Sequence, residues 1–60
     1  MTHRQVKELI KAERRCTGYP FRLSKLFHLD PGNGLAYFDN GLDGVYKSKF
    51  VIRDGHVAVI

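Results

Sequence analysis

The chain is poor in the features that usually announce a job. It has one cysteine, no tryptophan, two prolines and no long apolar run. Cys16 alone cannot make a disulfide within the chain, and no four ligands stand at metal-site spacing, so neither kind of staple is expected. A lone thiol suits a reducing, intracellular setting. No stretch approaches the ~18 apolar residues of a membrane-spanning helix, and the N-terminus lacks a signal-peptide core. The expectation is a soluble cytoplasmic protein with no cofactor, no membrane partner and no small-molecule substrate. With 60 residues, positions 1–60 make a single small domain. A chain of this size buries only ~60% of its unfolded surface, and such scaffolds seldom gather more than ~3–5 kcal/mol without a staple or a partner.

What is present is positive charge, unevenly spread. The net charge is +4. Residues 1–25 hold seven Lys/Arg against two Glu, residues 26–44 hold three Asp and no Lys or Arg, and residues 45–60 hold three Lys/Arg against Asp54. A basic balance favours acidic partners, nucleic acid first among them.

The most legible stretch is Val45 to Ile60. Two β-forming runs flank Asp54-Gly55, a pair that tolerates the positive φ of a type I′ turn. A two-residue loop there sets Arg53 against His56, Ile52 against Val57, Val51 against Ala58, Phe50 against Val59 and Lys49 against Ile60. Phe50, Ile52, Val57 and Val59 then share a core face. Lys47, Lys49, Arg53 and His56 lie on the other face, around Val51, Ala58 and Ile60.

Thr2 to about Arg15 reads as a helix opened by a Thr2/Gln5 capping box. Val6, Leu9 and Ile10 form an apolar stripe that Cys16 would extend as a small hydrophobe. Arg4, Lys7, Lys11, Arg14 and Arg15 fall within roughly 100° of arc on another side. Glu13 projects from the middle of the apolar stripe, where it either snorkels at the helix end or meets a basic partner; a buried catalytic carboxylate is the sharper reading. Gly18 suits a left-handed C-terminal cap, and Pro20 cannot continue the helix.

Phe21 to Leu29 supports either period. Phe21, Leu23, Phe27 and Leu29 alternate as a strand would, with Lys25 as the exception, while Leu23, Leu26 and Phe27 have helical spacing. The extended reading is preferred. Residues 30–34 are dense in turn formers, Leu35 to Phe38 reads as a strand, and residues 39–44 form a turn leading into the hairpin. The expected fold class is α+β: an N-terminal amphipathic helix packed on a small three- or four-stranded antiparallel sheet that ends in a C-terminal β-hairpin. Val6, Leu9 and Ile10 are expected to pack on Phe50, Ile52, Val57 and Val59.

Chemistry is hard to place. Asp39, Asp43 and Gly44 match positions one, five and six of a calcium loop, but Gly41 and Phe50 stand where oxygen ligands are needed. His3, His28, His56 and Cys16 make no ligand pair on one element, although a Cys–His couple formed in space remains open. Gly32 and Gly34 lack the signature of a phosphate loop. The expectation is no metal, no catalytic residue and no enzyme.

Two expectations remain. The first is a small basic regulatory protein that contacts nucleic-acid phosphates through Arg4, Lys7, Lys11, Arg14 and Arg15, with Lys47, Lys49 and Arg53 secondary. Tyr19, Tyr37, Tyr46 and Phe38 would add stacking surface if exposed. The alternative is a protein-interaction module, an inhibitor, adaptor or homodimer. It would act through an aromatic patch or through an apolar edge strand carrying Val57, Val59 and Ile60. Size, charge and the lack of catalytic motifs resemble those of small regulatory or inhibitor proteins from phages and mobile elements, a likeness of type only.

Overall fold

The structure, a computed structural model, describes residues 1–41 and 44–60. Asp43, which the turn and calcium-loop readings both used, lies outside the described residues, as does Leu42. One helix, α1 (His3–Thr17), lies on one face of a four-stranded antiparallel sheet. The strands are β1 (Leu26–Asp30), β2 (Leu35–Asp39), β3 (Val45–Arg53) and β4 (His56–Val59), in the spatial order β1-β2-β3-β4. The expected α+β architecture is therefore present, with four strands.

Local chemistry sets the ends of α1. Thr2 Oγ1 accepts the Gln5 N–H at 3.1 Å, and Gln5 Oε1 accepts the Thr2 N–H at 2.9 Å. This closes the reciprocal capping box and satisfies two otherwise orphaned donors. At the other end Gly18 takes φ 74° and donates its N–H to Arg14 O. The chain reversal there carries Phe21 into the core, its ring centroid 4.7 Å from that of Phe38 and 5.4 Å from that of Tyr46. Phe21 closes this end of the core, so Cys16 does not extend the apolar stripe and is exposed.

The Phe21–Leu29 stretch is extended only in part. The Lys25 N–H donates to Arg22 O at 2.9 Å, which closes a short 3₁₀ turn over Leu23–Lys25 before β1 begins. Lys25, the residue that broke the alternation, is the last residue of that turn. Strand β1 is itself irregular. Leu26 pairs with Phe38 and His28 with Tyr37, so Phe27 is an extra residue in the ladder. A bulge of this kind sets two residues of one strand opposite one residue of its neighbour.

The C-terminal hairpin has the register read from the sequence. Asp54 and Gly55 take φ 53° and 78°, and Arg53, Ile52, Val51 and Phe50 pair with His56, Val57, Ala58 and Val59. The Ile60 N–H reaches Lys49 O at 3.0 Å, continuing the ladder. The turn before β2 also grips β3: Gly34 O accepts the Phe50 N–H at 2.9 Å. Gly34 has φ 66°, and a Cβ there would collide with the Phe50 carbonyl oxygen. Glycine is required at this position on both counts.

The core comprises Leu9, Ile10, Phe21, Ala36, Phe38 and Phe50, with Val6, Leu26, Leu29, Tyr46, Val57 and Val59 packed around it. Ile52, expected in the core, is 40% exposed. The helix crosses the sheet obliquely: Gln5 Nε2 reaches Gly55 O at the hairpin tip, whereas Glu13 meets Ser48 on β3. Near the tip α1 leans toward β4 and leaves Ile52 uncovered.

Glu13 does not snorkel and has no basic partner. It is fully buried, and Ser48 Oγ donates to its Oε1. Its Oε2 has no hydrogen-bond partner. Burial, followed by the charge of this carboxyl, pushes the Tyr46 phenol above its ordinary value.

Candidate functional site

Because α1 covers only one face of the sheet, the alternation along each strand decides what the other face offers. In β3 the inward Ser48 and Phe50 alternate with exposed Lys47 and Lys49. In β2 the inward Ala36 and Phe38 alternate with half-buried Leu35 and Tyr37. Register then aligns one row across the open face: His28 pairs with Tyr37, and Tyr37 with Lys47. Lys49 stands next to it, opposite Leu35.

The bulge adds a second ring on β1. Phe27 and His28 both flank Tyr37, with ring centroids 6.5 Å and 5.3 Å away, and Phe27 is 57% exposed. Three aromatic rings thus form one platform beside two lysines. Two acidic residues share this face by the same alternation: Asp30 ends β1 and pairs with Leu35 in the row of Lys49, and Asp39 ends β2 opposite Val45. Asp30 accepts from the Asn33 side chain at 2.8 Å, and Asp39 accepts from the Gly41 N–H at 2.9 Å. Among the described residues the one contact of salt-bridge geometry is Glu8–His56, at 2.9 Å, an ion pair only when the imidazole is protonated. Its histidine, followed by burial, the His56 charge, the Val57 N–H and Arg4, perturbs Glu8; burial opposes the others, and the net effect lowers its carboxyl below the ordinary range.

The other anticipated residues are distributed as follows. Arg4, Lys7, Lys11, Arg14 and Arg15 are all exposed on α1, the element that covers the face of the sheet opposite Lys47 and Lys49. Arg14 Nε also donates to Phe21 O. Arg53 is exposed at the hairpin end of β3. Lys7, Lys11, Arg14 and Arg15 thus belong to the helix layer and Lys47 and Lys49 to the bare face, whereas Arg4 reaches the hairpin tip near Arg53: a Cβ at Gly55 would lie 4.0 Å from its Nη2. Of the four aromatics offered for stacking, Phe38 is buried, Tyr46 packs on Phe21, and the Tyr19 hydroxyl donates to Asn40 O. Tyr37 alone of these belongs to the platform.

Strand β4 is an edge strand. Val57 and Val59 turn their side chains onto the core, and Ile60 is exposed. The contacts of Gln5 with Gly55 and of Glu8 with His56 fasten α1 along this strand.

Phe27 and His28 were missed in the sequence. Consecutive residues in a regular strand point to opposite faces, and only the mismatch between Leu26/Phe38 and His28/Tyr37 puts both beside one ring. Among the described residues no group of three or more His, Cys, Asp or Glu could hold a metal ion, and no helix is long and apolar enough to cross a membrane. Compared with protein-family models, with curated proteins and with solved structures, the chain matches none of them.

Proposed function

We propose that this is a nucleic-acid-binding module that takes a single strand on the open face of its sheet. The observation that carries the reading is the row His28–Tyr37–Lys47, with Phe27 beside it and Lys49 next to it. Unpaired bases stack on exposed aromatic rings, and lysines follow the phosphates between them. Lys47 and Lys49 are two residues apart on one face of a strand, about 7 Å by strand rise, a spacing close to that of successive phosphates. The exposed cations of α1 act here as a long-range field that speeds encounter, since they belong to the helix layer and not to the platform. The protein acts as a binder, not as an enzyme.

The test is fluorescence anisotropy with labelled single-stranded and duplex oligonucleotides at low salt. Single strands are expected to bind more tightly than duplex. Stacking contributes ~1–3 kcal/mol per base, so Tyr37→Ala and Phe27→Ala should each weaken binding about fivefold or more. Lys47→Gln and Lys49→Gln should each flatten the salt dependence by about 0.7 in log–log slope. No binding at low salt, or binding indifferent to Tyr37→Ala, would overturn the proposal.

A further inference from the structure

The opposite side of the molecule has a second surface with different chemistry. Between α1 and the turn at Leu23 runs an open groove of about 280 Å³, lined by His3, Val6, Lys7, Ile10, Lys11, Arg14 and Leu23. Its floor is apolar: Val6 and Ile10 stand one turn apart on the helix, and Leu23 faces them, 54% exposed. Its rim is cationic throughout, with Lys7, Lys11 and Arg14 at i, i+4 and i+7. No Asp or Glu lines it. The two acidic residues of α1 are engaged elsewhere, Glu8 with His56 and Glu13 with Ser48. The positive charge along the groove is therefore uncompensated from within the domain.

We infer that this groove docks an acidic amphipathic helix from a protein partner, whose apolar side chains seat on Val6, Ile10 and Leu23 and whose carboxylates meet Lys7, Lys11 and Arg14. The dimensions suit a side-chain row better than a whole small molecule. The volume lies at the bottom of the ~300–1,000 Å³ range of ligand pockets, while His3 to Arg14 spans about 16 Å of helix. That is about three turns of a facing helix, the length over which i, i+3/i+4 and i+7 anchors are read. A phosphate backbone has no use for the apolar floor, and the one ring lining the groove is the His3 imidazole, at the first turn of the helix. A second copy of this chain would bring like charge to like charge. The acidic helix alone satisfies both floor and rim.

The experiment uses the full chain and a labelled 15-residue synthetic helix with leucines at i, i+4 and i+7 and glutamates flanking them. Two control peptides accompany it: one with each Glu replaced by Gln, the other with each Leu replaced by Ser. The parent peptide is expected to bind and both controls to bind at least tenfold more weakly. Leu23→Ser, at a position 54% exposed, is expected to weaken binding about fivefold. The double variant Lys7→Glu/Lys11→Glu is expected to weaken it more than tenfold. Circular dichroism checks that both variants remain folded, and single-stranded DNA binding to the platform should respond little to Leu23→Ser. The inference is overturned if the parent peptide does not bind, if the leucine-free peptide binds equally well, or if Leu23→Ser leaves its affinity unchanged. It is also overturned if sedimentation shows the groove variants dissolving a dimer of the chain itself. Failure at the groove with an intact Tyr37-dependent affinity for single strands would leave the nucleic-acid proposal standing.

Discussion

The Glu13–Ser48 contact invites a double-mutant cycle. Both side chains are buried, and the Ser48 hydroxyl donates to Oε1 of the Glu13 carboxyl. In Ser48→Ala the carboxyl stays buried without its hydroxyl donor and with only the Tyr46 phenol beside it, which costs roughly 1–3 kcal/mol. A domain this small has about 3–5 kcal/mol in total, so the variant should lose a large fraction of its stability. Each kcal/mol lowers the melting temperature of a small domain by about 4–8 °C. Glu13→Met keeps the length of the side chain and removes the carboxyl, leaving a single buried hydroxyl unpaired. The double variant leaves neither group. Replacing a buried polar pair by apolar groups of similar shape is often neutral or stabilising, so it is expected to be at least as stable as the parent, with a coupling of about 0.5–3 kcal/mol between the sites. Urea and thermal unfolding followed by circular dichroism measure all four proteins. If Ser48→Ala changes stability by less than about 0.5 kcal/mol, or if the double variant is less stable than both singles, the reasoning about this contact is wrong.

Three further outcomes follow from the same geometry. Gly34→Ala forces a Cβ into the Phe50 carbonyl at a positive φ, so it should destabilise the fold by more than about 1–2 kcal/mol, seen as a lower urea midpoint; a neutral result would mean that this turn is free to move. Glu8 has a lowered carboxyl pKa in the folded state, so its contribution is present above the ordinary carboxylate range and lost as pH falls through the lowered value. Glu8→Gln should therefore flatten the acid limb of the melting-temperature profile, and an unchanged limb would exclude the His56 clasp. Tyr46 is raised by burial and by Glu13, so an ultraviolet titration should show a phenol ionising late, above ~10, and Tyr46→Phe should abolish that late component.

The parts of the fold legible in the sequence are those decided by neighbours along the chain. The Thr2/Gln5 box, the cap at Gly18 and the Asp54-Gly55 turn each need only a few adjacent residues, and the hairpin register follows from the turn. Alternation also placed Lys47 and Lys49 correctly opposite the core. What escaped depends on contacts between distant residues. A hydroxyl 35 positions away holds Glu13 in the core. The oblique crossing of α1, which no periodicity encodes, exposes Ile52. The platform needed the bulge at Phe27, and a period-two reading assigns Phe27 and His28 to opposite faces. The same reading could list the helix and hairpin cations but not say that Arg4 reaches the hairpin tip while Lys47 and Lys49 lie on the bare face.

One consequence of the uncovered sheet face concerns how this protein would behave in a test tube. A sheet with a single helical cover is half of a sandwich, and whatever settles on its bare side completes the missing layer. An occupant that recognises only the folded form adds RT ln(1 + [L]/Kd) to the unfolding free energy, about 2.7 kcal/mol at a hundredfold excess over Kd, which rivals the whole intrinsic reserve of so short a chain. The midpoint of a melt would then be a titration curve in disguise, and screening oligonucleotides for any that delay unfolding would test the proposed platform without any label.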